Sequence, residues 1–300
     1  MKRCLVIGAS GQLGGALIPA FASAYLVVAS VRCPAKEGQV QMDLSDLFEI
    51  RETLKKVSPD IILIAGAHTN VDRCEQEPIL CQQVNAAGPG EVARYAQAKK
   101  CFVVYYSTDH VFDGAGSPYI ESDRVHPLNV YSQSKAEGET IIREAVPDHH
   151  LIIRTAWLYG PDLKERNFPV RLIKRLGGGE SVQVPLDQWG SPTFTVDLAS
   201  TTRFLIDRGE TGTYHVTGPD FIDRYAYARR IASCFGLSEN LLVPVATPRL
   251  AQAARRALRV QLNCSKLHSL KAPVLRDIEK GLLALKEWRM AEACLRGDKR

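Results

Sequence analysis

The chain has 300 residues, of which 45% are hydrophobic and 24% are charged, and its formal net charge at pH 7 is +5. These values are typical of a soluble globular protein with one large domain or two modest ones. Because the positive charge is mild and spread along the chain, we expect attraction for small anions and no nucleic-acid partner.

The sequence contains no segment typical of secretion or membrane insertion. Its first apolar run is cut short by Gly8, and the longest apolar runs, such as 61–67, have the length of a strand. The eight cysteines show no C-x-x-C pair and no zinc-like grouping with the seven histidines. We therefore expect a reduced, cytoplasmic protein with no membrane association and no metal ligand set, in which most thiols are small buried hydrophobic groups.

Short apolar runs that alternate with helix-like stretches predict the fold. The runs cover 4–8, 25–31, 60–67, 101–107 and 151–160, and the helix-like stretches cover 12–24, 44–57, 78–99 and 131–146. Continuous apolar strands that alternate with helices are typical of parallel β-α-β units. We therefore predict an α/β fold with a Rossmann-type doubly wound parallel sheet, which forms a cofactor-binding domain over residues 1–160.

The pattern is looser after residue 160. Predicted helices cover 167–176, 197–207 and 223–235, predicted strands cover 181–184 and 213–218, and GGGE at 177–180 indicates a turn. This part is too short for a second large domain. We predict a smaller α/β substrate-binding lobe over residues 161–300, with the chain crossing between the two lobes.

A glycine-rich turn follows the first predicted strand and opens the first predicted helix. In GASGQLGG at 8–15, Gly8, Gly11 and Gly14 have the spacing G-x-x-G-x-x-G. Glycine permits a sharp turn and lets backbone N–H groups approach a pyrophosphate, while the helix N-terminus attracts negative charge. In this setting the spacing predicts a dinucleotide site, and a tight turn with a structural role only is the alternative.

The end of the second predicted strand indicates which dinucleotide binds. NAD sites usually carry Asp or Glu there, whereas an arginine can pair with a 2′-phosphate. This chain has Ser30, Val31 and then Arg32. The pattern favours NADPH, with NADH as the alternative hydride donor, and a solvated loop residue is the alternative interpretation of Arg32.

The segment QMDLSD at 41–46 suits the adenine end of such a cofactor. Asp43 is placed to accept a hydrogen bond from the adenine amino group, with Leu44 lining the ring. A helix N-cap is an equally good interpretation of the side chains that follow, Ser45 or Asp46.

Thr108, Tyr131 and Lys135 form the predicted catalytic set. Thr108 follows a predicted strand, whose carboxyl end faces the ligand side of the sheet. Tyr131 and Lys135 are four residues apart on a predicted helix and are therefore neighbours, although a solvated surface pair has the same spacing. With a hydride donor beside them, these groups suit carbonyl reduction: the hydroxyl and the phenol bond the carbonyl oxygen, the phenol donates a proton, and the ammonium lowers the pKa of the phenol or holds the nicotinamide ribose.

Six motifs together carry a family resemblance. They are GASGQLG at 8–14, GAHTNVDRCE at 66–75, YSTDHVFDG at 106–114, ESDRVHPLNVYSQSK at 121–135, RTAWLYG at 154–160 and QWGSPTFTVDLA at 188–199. From residue 1 to about 270 the chain resembles the extended short-chain dehydrogenase/reductase superfamily, and within it most closely the dTDP-4-dehydrorhamnose reductase family. The resemblance implies NADPH-dependent reduction of the 4-keto group of a nucleotide-linked deoxysugar, dTDP-4-dehydrorhamnose to dTDP-L-rhamnose.

The resemblance also implies roles for individual residues. Thr108, Tyr131 and Lys135 would form the catalytic triad, and Asn85 would fix the strand and helix around the site, although it also suits a helix cap. The implied cofactor contacts are Gly11, Gln12 and Leu13 for the pyrophosphate, Asp43 and Leu44 for the adenine, Ala65, Gly66 and Ala67 for the cofactor backbone, and Tyr106 for the nicotinamide side. The implied substrate contacts are Thr108, Asp109 and Trp157, of which Trp157 is equally a candidate core aromatic.

The chain departs from the family pattern at three positions. His110 replaces the usual tyrosine of STDYVF, Ser132 replaces the glycine that commonly follows the catalytic tyrosine, and Ser30 replaces the acidic residue of NAD-using relatives. The first change alters the rim that meets the substrate. Some members of the family use Mg²⁺ at a subunit contact, but no carboxylate cluster here suggests one.

Several alternatives stay open at this stage. Arg154, Lys164, Arg166 and Arg171 are candidates for holding the sugar-nucleotide diphosphate, with solvated or core-paired side chains as the alternative. Another sugar-nucleotide ketoreductase or an epimerase is an alternative enzyme, whereas T-D-H in place of T-D-E argues against a dehydratase. The regulatory subunit of methionine adenosyltransferase resembles the same family, so a non-catalytic role is a further alternative. A homodimer is expected by analogy only.

Overall fold

The computed structural model describes residues 1–33 and 35–296, so the last four positions of the predicted second lobe lie outside the described residues. The strands are β1 Arg3–Ile7, β2 Leu26–Val31, β3 Gln39–Gln41, β4 Ile61–Ile64, β5 Phe102–Thr108, β6 His150–Thr155, β7 Leu158–Tyr159, β8 Val182–Pro185, β9 Trp189–Gly190, β10 Thr193–Phe194, β11 Gly212–His215, β12 Ile222–Asp223 and β13 Leu242–Val245. The helices are α1 Gln12–Ala22, α2 Leu47–Val57, α3 Val71–Gln76, α4 Pro78–Gln82, α5 Gly88–Lys99, α6 Val130–Ala145, α7 Phe168–Gly177, α8 Thr195–Asp207, α9 Arg224–Phe235, α10 Ser265–Ser269 and α11 Ile278–Arg296.

A seven-stranded parallel sheet forms the centre of the molecule. Its strand order is β11-β6-β5-β4-β1-β2-β3. The chain proceeds from β1 to one side through β2 and β3, and then returns to the other side through β4, so the order reverses between β1 and β4. In doubly wound sheets the ligand lies at such a reversal, beyond the carboxyl ends of the strands. The predicted Rossmann-type α/β fold is confirmed.

The central strands are apolar throughout because both faces of the sheet are covered. Successive side chains of a strand point to opposite faces, so Cys4 and Val6 pack with Leu17 of α1 on one face. Leu5 and Ile7 pack with α2, α5 and α6 on the other face. This arrangement fixes α1 and α6 on opposite sides of the sheet, with the carboxyl ends of β1, β4 and β5 between them.

The predicted helix at 78–99 is divided into α4, a π-helical segment Gln83–Ala87 and α5. Pro89 has no N–H to donate to the carbonyl of Asn85 four residues earlier. That carbonyl instead accepts a hydrogen bond from the Tyr105 hydroxyl at 2.6 Å. This hydrogen bond therefore joins the π-helical segment to β5.

The later part of the chain surrounds a third apolar cluster built mainly from α7, α9, α11 and β8. One strand of this part, β11, pairs with β6 in the main sheet, with Tyr214 opposite Ile153. The cluster places the loop between β7 and α7 opposite the glycine turn. No helix among the described residues combines the length and apolar character that a membrane span requires.

Candidate active site

A cleft of about 560 Å³ opens at the carboxyl edge of the main sheet. The glycine turn, the ends of β2, β4 and β5, the first turns of α6 and the segment 155–167 contribute to its walls. The cleft therefore lies at the reversal of strand order, where residues far apart in the sequence come together.

The glycine turn has the geometry that the spacing predicts. Gly8 has a φ of 83°, and a Cβ there would lie 2.6 Å from the Cα of Gly66. A Cβ on Gly14 would lie 2.3 Å from the carbonyl oxygen of Gly8, so these two positions require glycine. Helix α1 begins after Gly11 without a side-chain cap. Its first N–H groups are therefore available for an anion, as a dinucleotide pyrophosphate requires.

Gln12 and Leu13 line the cleft directly after Gly11, whereas Gly14 lies behind them and provides the close packing of α1 on the turn. The three residues assigned to the pyrophosphate are thus together at the cleft. The glycine behind them has a structural part in the same turn.

Arg32, Asp43 and Leu44 line one end of the same cleft. Arg32 is exposed, as an arginine that receives a phosphate must be. One carboxylate oxygen of Asp43 accepts hydrogen bonds from the backbone N–H and the hydroxyl of Ser45, at 2.9 and 2.8 Å. Asp46, not Ser45, is the N-cap of α2. The side chain of Asp43 is therefore held in place by its neighbour, which leaves its second oxygen free to meet a ligand.

Ala65, Gly66 and Ala67 follow β4 and line the floor of the cleft. Asn85 does not line it. Its side chain accepts a hydrogen bond from the N–H of His68 at 2.9 Å and donates to the Ser134 hydroxyl at 3.0 Å. Asn85 thus joins the segment after β4 to α6. This arrangement suits a residue that positions the walls of the site, and it does not suit a direct contact with the cofactor.

Thr108, Tyr131 and Lys135 all line the cleft and are all buried. Asn129 caps α6 together with Ser132, each side chain bonding the backbone of the other, so Tyr131 is presented from the first turn. The Thr108 hydroxyl donates to the carboxylate of Asp109 at 3.0 Å and accepts from the N–H of His110 at 3.2 Å. The Thr108 hydroxyl is thereby fixed at the end of β5.

The predicted effect of Lys135 on the pKa of Tyr131 stays a prediction, and the structure shows which partners hold the lysine. The ammonium of Lys135 donates to the carbonyl oxygen of Tyr106 at 2.6 Å and lies 3.9 Å from the centroid of the Tyr105 ring. Burial raises the pKa of the Tyr131 phenol above its ordinary value, and a hydrogen bond with Thr108 acts against this rise. The ammonium of Lys135 is held toward β5 by the Tyr106 carbonyl.

Burial also lowers the pKa of Lys135, to about 7, against a rise caused by the carboxylate of Glu139. The phenol therefore stays protonated at neutral pH, whereas the ammonium titrates close to neutral pH. A protonated phenol beside a fixed hydroxyl is suited to donate a proton to a carbonyl oxygen.

Asp109, His110 and Trp157 form the part of the cleft beside this pair of hydroxyls. The His110 ring meets the Tyr131 ring edge to face, with centroids 5.9 Å apart. Burial raises the pKa of Asp109, and the positive charge of a protonated His110 acts to lower it. The histidine that departs from the family pattern therefore contacts the tyrosine predicted to be catalytic.

Trp157 has a φ of 43°, a left-handed backbone conformation that a bulky residue rarely adopts. Gly190 makes room for the indole, because a Cβ there would lie 2.4 Å from the Trp157 ring. The Arg224 guanidinium stacks on the ring at 3.4 Å from its centroid. Trp157 is thus packed among its neighbours and also lines the cleft, and its contact with a substrate stays a prediction.

The four candidate cations are in different environments. Arg154 is buried and forms two hydrogen bonds with Glu139, at 2.9 and 2.7 Å, so it is a core pair. Lys164 and Arg166 line the cleft. Arg171 is exposed and lies outside the cleft lining. Only Lys164 and Arg166 are therefore placed to meet a ligand there.

Sequence reasoning missed two residues of this region, Arg224 and Asn167. Arg224 reaches Trp157 through tertiary packing of α9, and no local pattern signals that contact. Asn167 caps α7 and also donates to the Gln12 side chain at 2.9 Å. The sequence Asn167-Phe168-Pro169 carries a helix-start signal, but the pairing with Gln12 has no counterpart in the local sequence. Among the described residues, no group of three or more His, Cys, Asp or Glu side chains could hold a metal ion.

Comparison with known proteins shows the family to which the chain belongs. Residues 1–288 match the family described as RmlD substrate binding domain. The chain belongs to this family. The resemblance to dTDP-4-dehydrorhamnose reductases that the motifs predict is confirmed.

Several relatives support membership in the RmlD substrate binding domain family. A dTDP-4-dehydrorhamnose reductase from Escherichia coli K12 is 33% identical over 290 residues, which cover 93% of this chain and 95% of the relative. A dTDP-4-dehydrorhamnose reductase from Streptomyces griseus is 32% identical, with 96% and 91% covered. The crystal structure of dTDP-4-dehydrorhamnose reductase from Bacillus anthracis in complex with NADP is 30% identical, with a TM-score of 0.86 and coverage of 95% and 98%.

Proposed function

We propose that the protein reduces the 4-keto group of dTDP-4-dehydrorhamnose with NADPH and forms dTDP-L-rhamnose. The relatives in E. coli and S. griseus are named for this reduction, and the B. anthracis relative binds NADP. The observation that carries the proposal is the position of Tyr131 and Thr108 in the cleft that the glycine turn also lines. A proton donor and a dinucleotide site in one cleft are the two requirements of carbonyl reduction.

Each catalytic side chain has one part in this mechanism. NADPH, when bound, supplies the hydride to the carbonyl carbon. Thr108 and Tyr131 hold the carbonyl oxygen, and the Tyr131 phenol donates the proton, which its burial keeps in place at neutral pH. Lys135 anchors the first turns of α6 to the Tyr106 carbonyl on β5 and so keeps the phenol in register with Thr108.

The residues around the glycine turn fit this cofactor. The uncapped start of α1 suits the pyrophosphate, and the exposed Arg32 suits a 2′-phosphate. Ser30, at the place where NAD sites carry a carboxylate, is fully buried, so it offers no acceptor for a ribose hydroxyl. These features favour NADPH over NADH.

We also propose a cytoplasmic protein organised as a cofactor-binding domain over 1–160 and a substrate-binding lobe over 161–300. NADPH and a nucleotide sugar are both cytoplasmic metabolites, which supports the location. The pairing of β11 with β6 supports a chain that crosses between the lobes. A homodimer is proposed by analogy with the superfamily, and the described residues offer no metal cluster that would support a bound Mg²⁺.

The direct test is turnover by the purified protein. A panel of keto-sugar nucleotides, which includes dTDP-4-dehydrorhamnose, is incubated with NADPH or NADH, and loss of nicotinamide absorbance is followed. We expect rapid oxidation of NADPH with dTDP-4-dehydrorhamnose and slower oxidation of NADH. NADPH binding without turnover of any sugar in the panel would contradict the proposal and point to a regulatory protein.

A further inference from the structure

The segment 161–167, which we call the strap, joins β7 to α7 and crosses in front of the glycine turn. It folds around the carboxylate of Asp162, which is only 5% exposed. That carboxylate accepts hydrogen bonds from the backbone N–H groups of Lys164, Arg166 and Asn167, at 3.1, 2.7 and 3.3 Å. The strap is therefore an ordered loop whose one buried charge is satisfied by its own backbone.

Two side chains of the strap contact the glycine turn directly. The Lys164 ammonium donates to the Ser10 hydroxyl at 3.0 Å. The Asn167 amide donates to the Gln12 side chain at 2.9 Å. Ser10 and Gln12 flank Gly11, the N-cap residue of α1, so the strap lies against the part of the turn that suits a pyrophosphate.

The charges of the strap are distributed unequally between its two sides. Lys164 and Arg166 line the cleft, and neither forms an ion pair among the described residues. Glu165 is turned away from it and pairs with Lys174 at 3.3 Å and with Arg289 at 3.8 Å. The strap thus presents two cations and no free carboxylate to the start of α1. Two unpaired cations opposite an uncapped helix N-terminus make a site for an anion.

We propose that Lys164 and Arg166 bind the pyrophosphate of the dinucleotide from the side opposite α1, and that the strap thereby retards release of the cofactor. The inference rests on the proposed function only in taking the dinucleotide to be NADP(H). It assigns both cations to the cofactor and not to the diphosphate of the sugar nucleotide. The reason is their position: Lys164 contacts Ser10 and Asn167 contacts Gln12 of the cofactor turn, and Arg166 lines the same cleft between them in the strap.

Direct binding of NADPH, followed by its fluorescence without any sugar substrate, tests the proposal. We expect the Kd to rise about fivefold in Lys164→Ala and in Arg166→Ala, and tenfold or more in the double variant, since each loses a charge-assisted hydrogen bond. Stopped-flow displacement should show faster NADPH release. Leu163→Ala is the matched control, because Leu163 is in the same strap, is 65% exposed and does not line the cleft. Its Kd should equal that of the wild type.

A fragment of the cofactor locates the contact. 2′-AMP carries adenosine and the 2′-phosphate but no pyrophosphate, so the double variant should bind it as the wild type does. Arg32→Ala should weaken both 2′-AMP and NADPH. Thermal unfolding of each variant checks that a change in binding does not come from loss of the fold.

The outcomes separate the two proposals. One outcome is that the double variant binds NADPH like the wild type and differs only in a higher KM for the sugar nucleotide. In that case the two cations bind the substrate, and the inference is overturned. If the double variant binds 2′-AMP and NADPH more weakly by the same factor, the inference is overturned as well. A wild-type protein that binds NADPH but reduces no sugar would contradict the proposed function alone.

Discussion

Lys135 has the most unusual environment of the three proposed catalytic residues. It is 2% exposed, and its ammonium is held by one carbonyl oxygen and one aromatic face. Burial disfavours the charged form and lowers the pKa to about 7, while the carboxylate of Glu139 and the thiol of Cys81 act in the opposite direction. The charge of Lys135 therefore depends on pH near neutrality.

The pH dependence of stability tests this environment. The pKa of Lys135 is about 7 in the folded protein, and its ordinary value of 10.5 applies to the unfolded chain. Between these two pH values the unfolded chain therefore binds more protons than the folded one. Stability from this group therefore rises with pH across that window and is constant below it. We expect the unfolding free energy of the wild type, relative to Lys135→Met, to increase from about pH 7 to about pH 10. Urea unfolding of both proteins measures it, and parallel pH curves would contradict the assignment.

The sequence predicted a set of three side chains that the structure brings to one cleft, but it did not predict the partners of these side chains. Tyr131 and Lys135 are neighbours because four residues make about one helical turn, and this spacing is visible locally. The carbonyl of Tyr106 that takes the Lys135 ammonium is 29 residues away in the chain. Its approach depends on how closely α6 packs on β5, which no local pattern specifies.

The close packing of α6 on β5 is the contact between elements that positions the site. Gly138 of α6 lies against β5, and a Cβ there would lie 2.3 Å from the Tyr105 hydroxyl and 2.5 Å from the carbonyl oxygen of Asn85. The same hydroxyl donates to that carbonyl at 2.6 Å. A glycine in the middle of α6 therefore lets the helix that carries Tyr131 approach the strand that carries Thr108.

A pair of glycine substitutions tests this approach. Gly138→Ala should lower the unfolding free energy by about 2 kcal/mol, since the methyl group meets a buried hydroxyl and a backbone carbonyl. Gly15→Ala in α1 is the matched control, because a Cβ there has no neighbour within 4 Å. It should leave stability unchanged or raise it by up to about 1 kcal/mol, because alanine favours a helix. Thermal and urea unfolding measure both, and equal effects of the two changes would exclude close packing at Gly138.

In the fold as a whole, the main sheet was predictable from the sequence, whereas the contacts between the strap and the glycine turn were not. Apolar runs such as 61–67 indicate strands covered on both faces, and alternation with helices indicates parallel order, so the main sheet follows from local patterns. The contacts of Lys164 with Ser10 and of Asn167 with Gln12 join residues 154 and 155 positions apart. Such contacts depend on the packing of α7 and its neighbours, and periodicity carries no information about them.

The central claim is that the Tyr131 phenol delivers the proton in a reduction that takes place in the cofactor cleft. Turnover of dTDP-4-dehydrorhamnose by Tyr131→Phe, with NADPH binding measured on the same sample, tests it most directly. We expect a rate about 10²- to 10⁴-fold lower than that of the wild type with NADPH affinity largely retained, since only the proton donor is lost. Wild-type turnover in Tyr131→Phe would contradict the account.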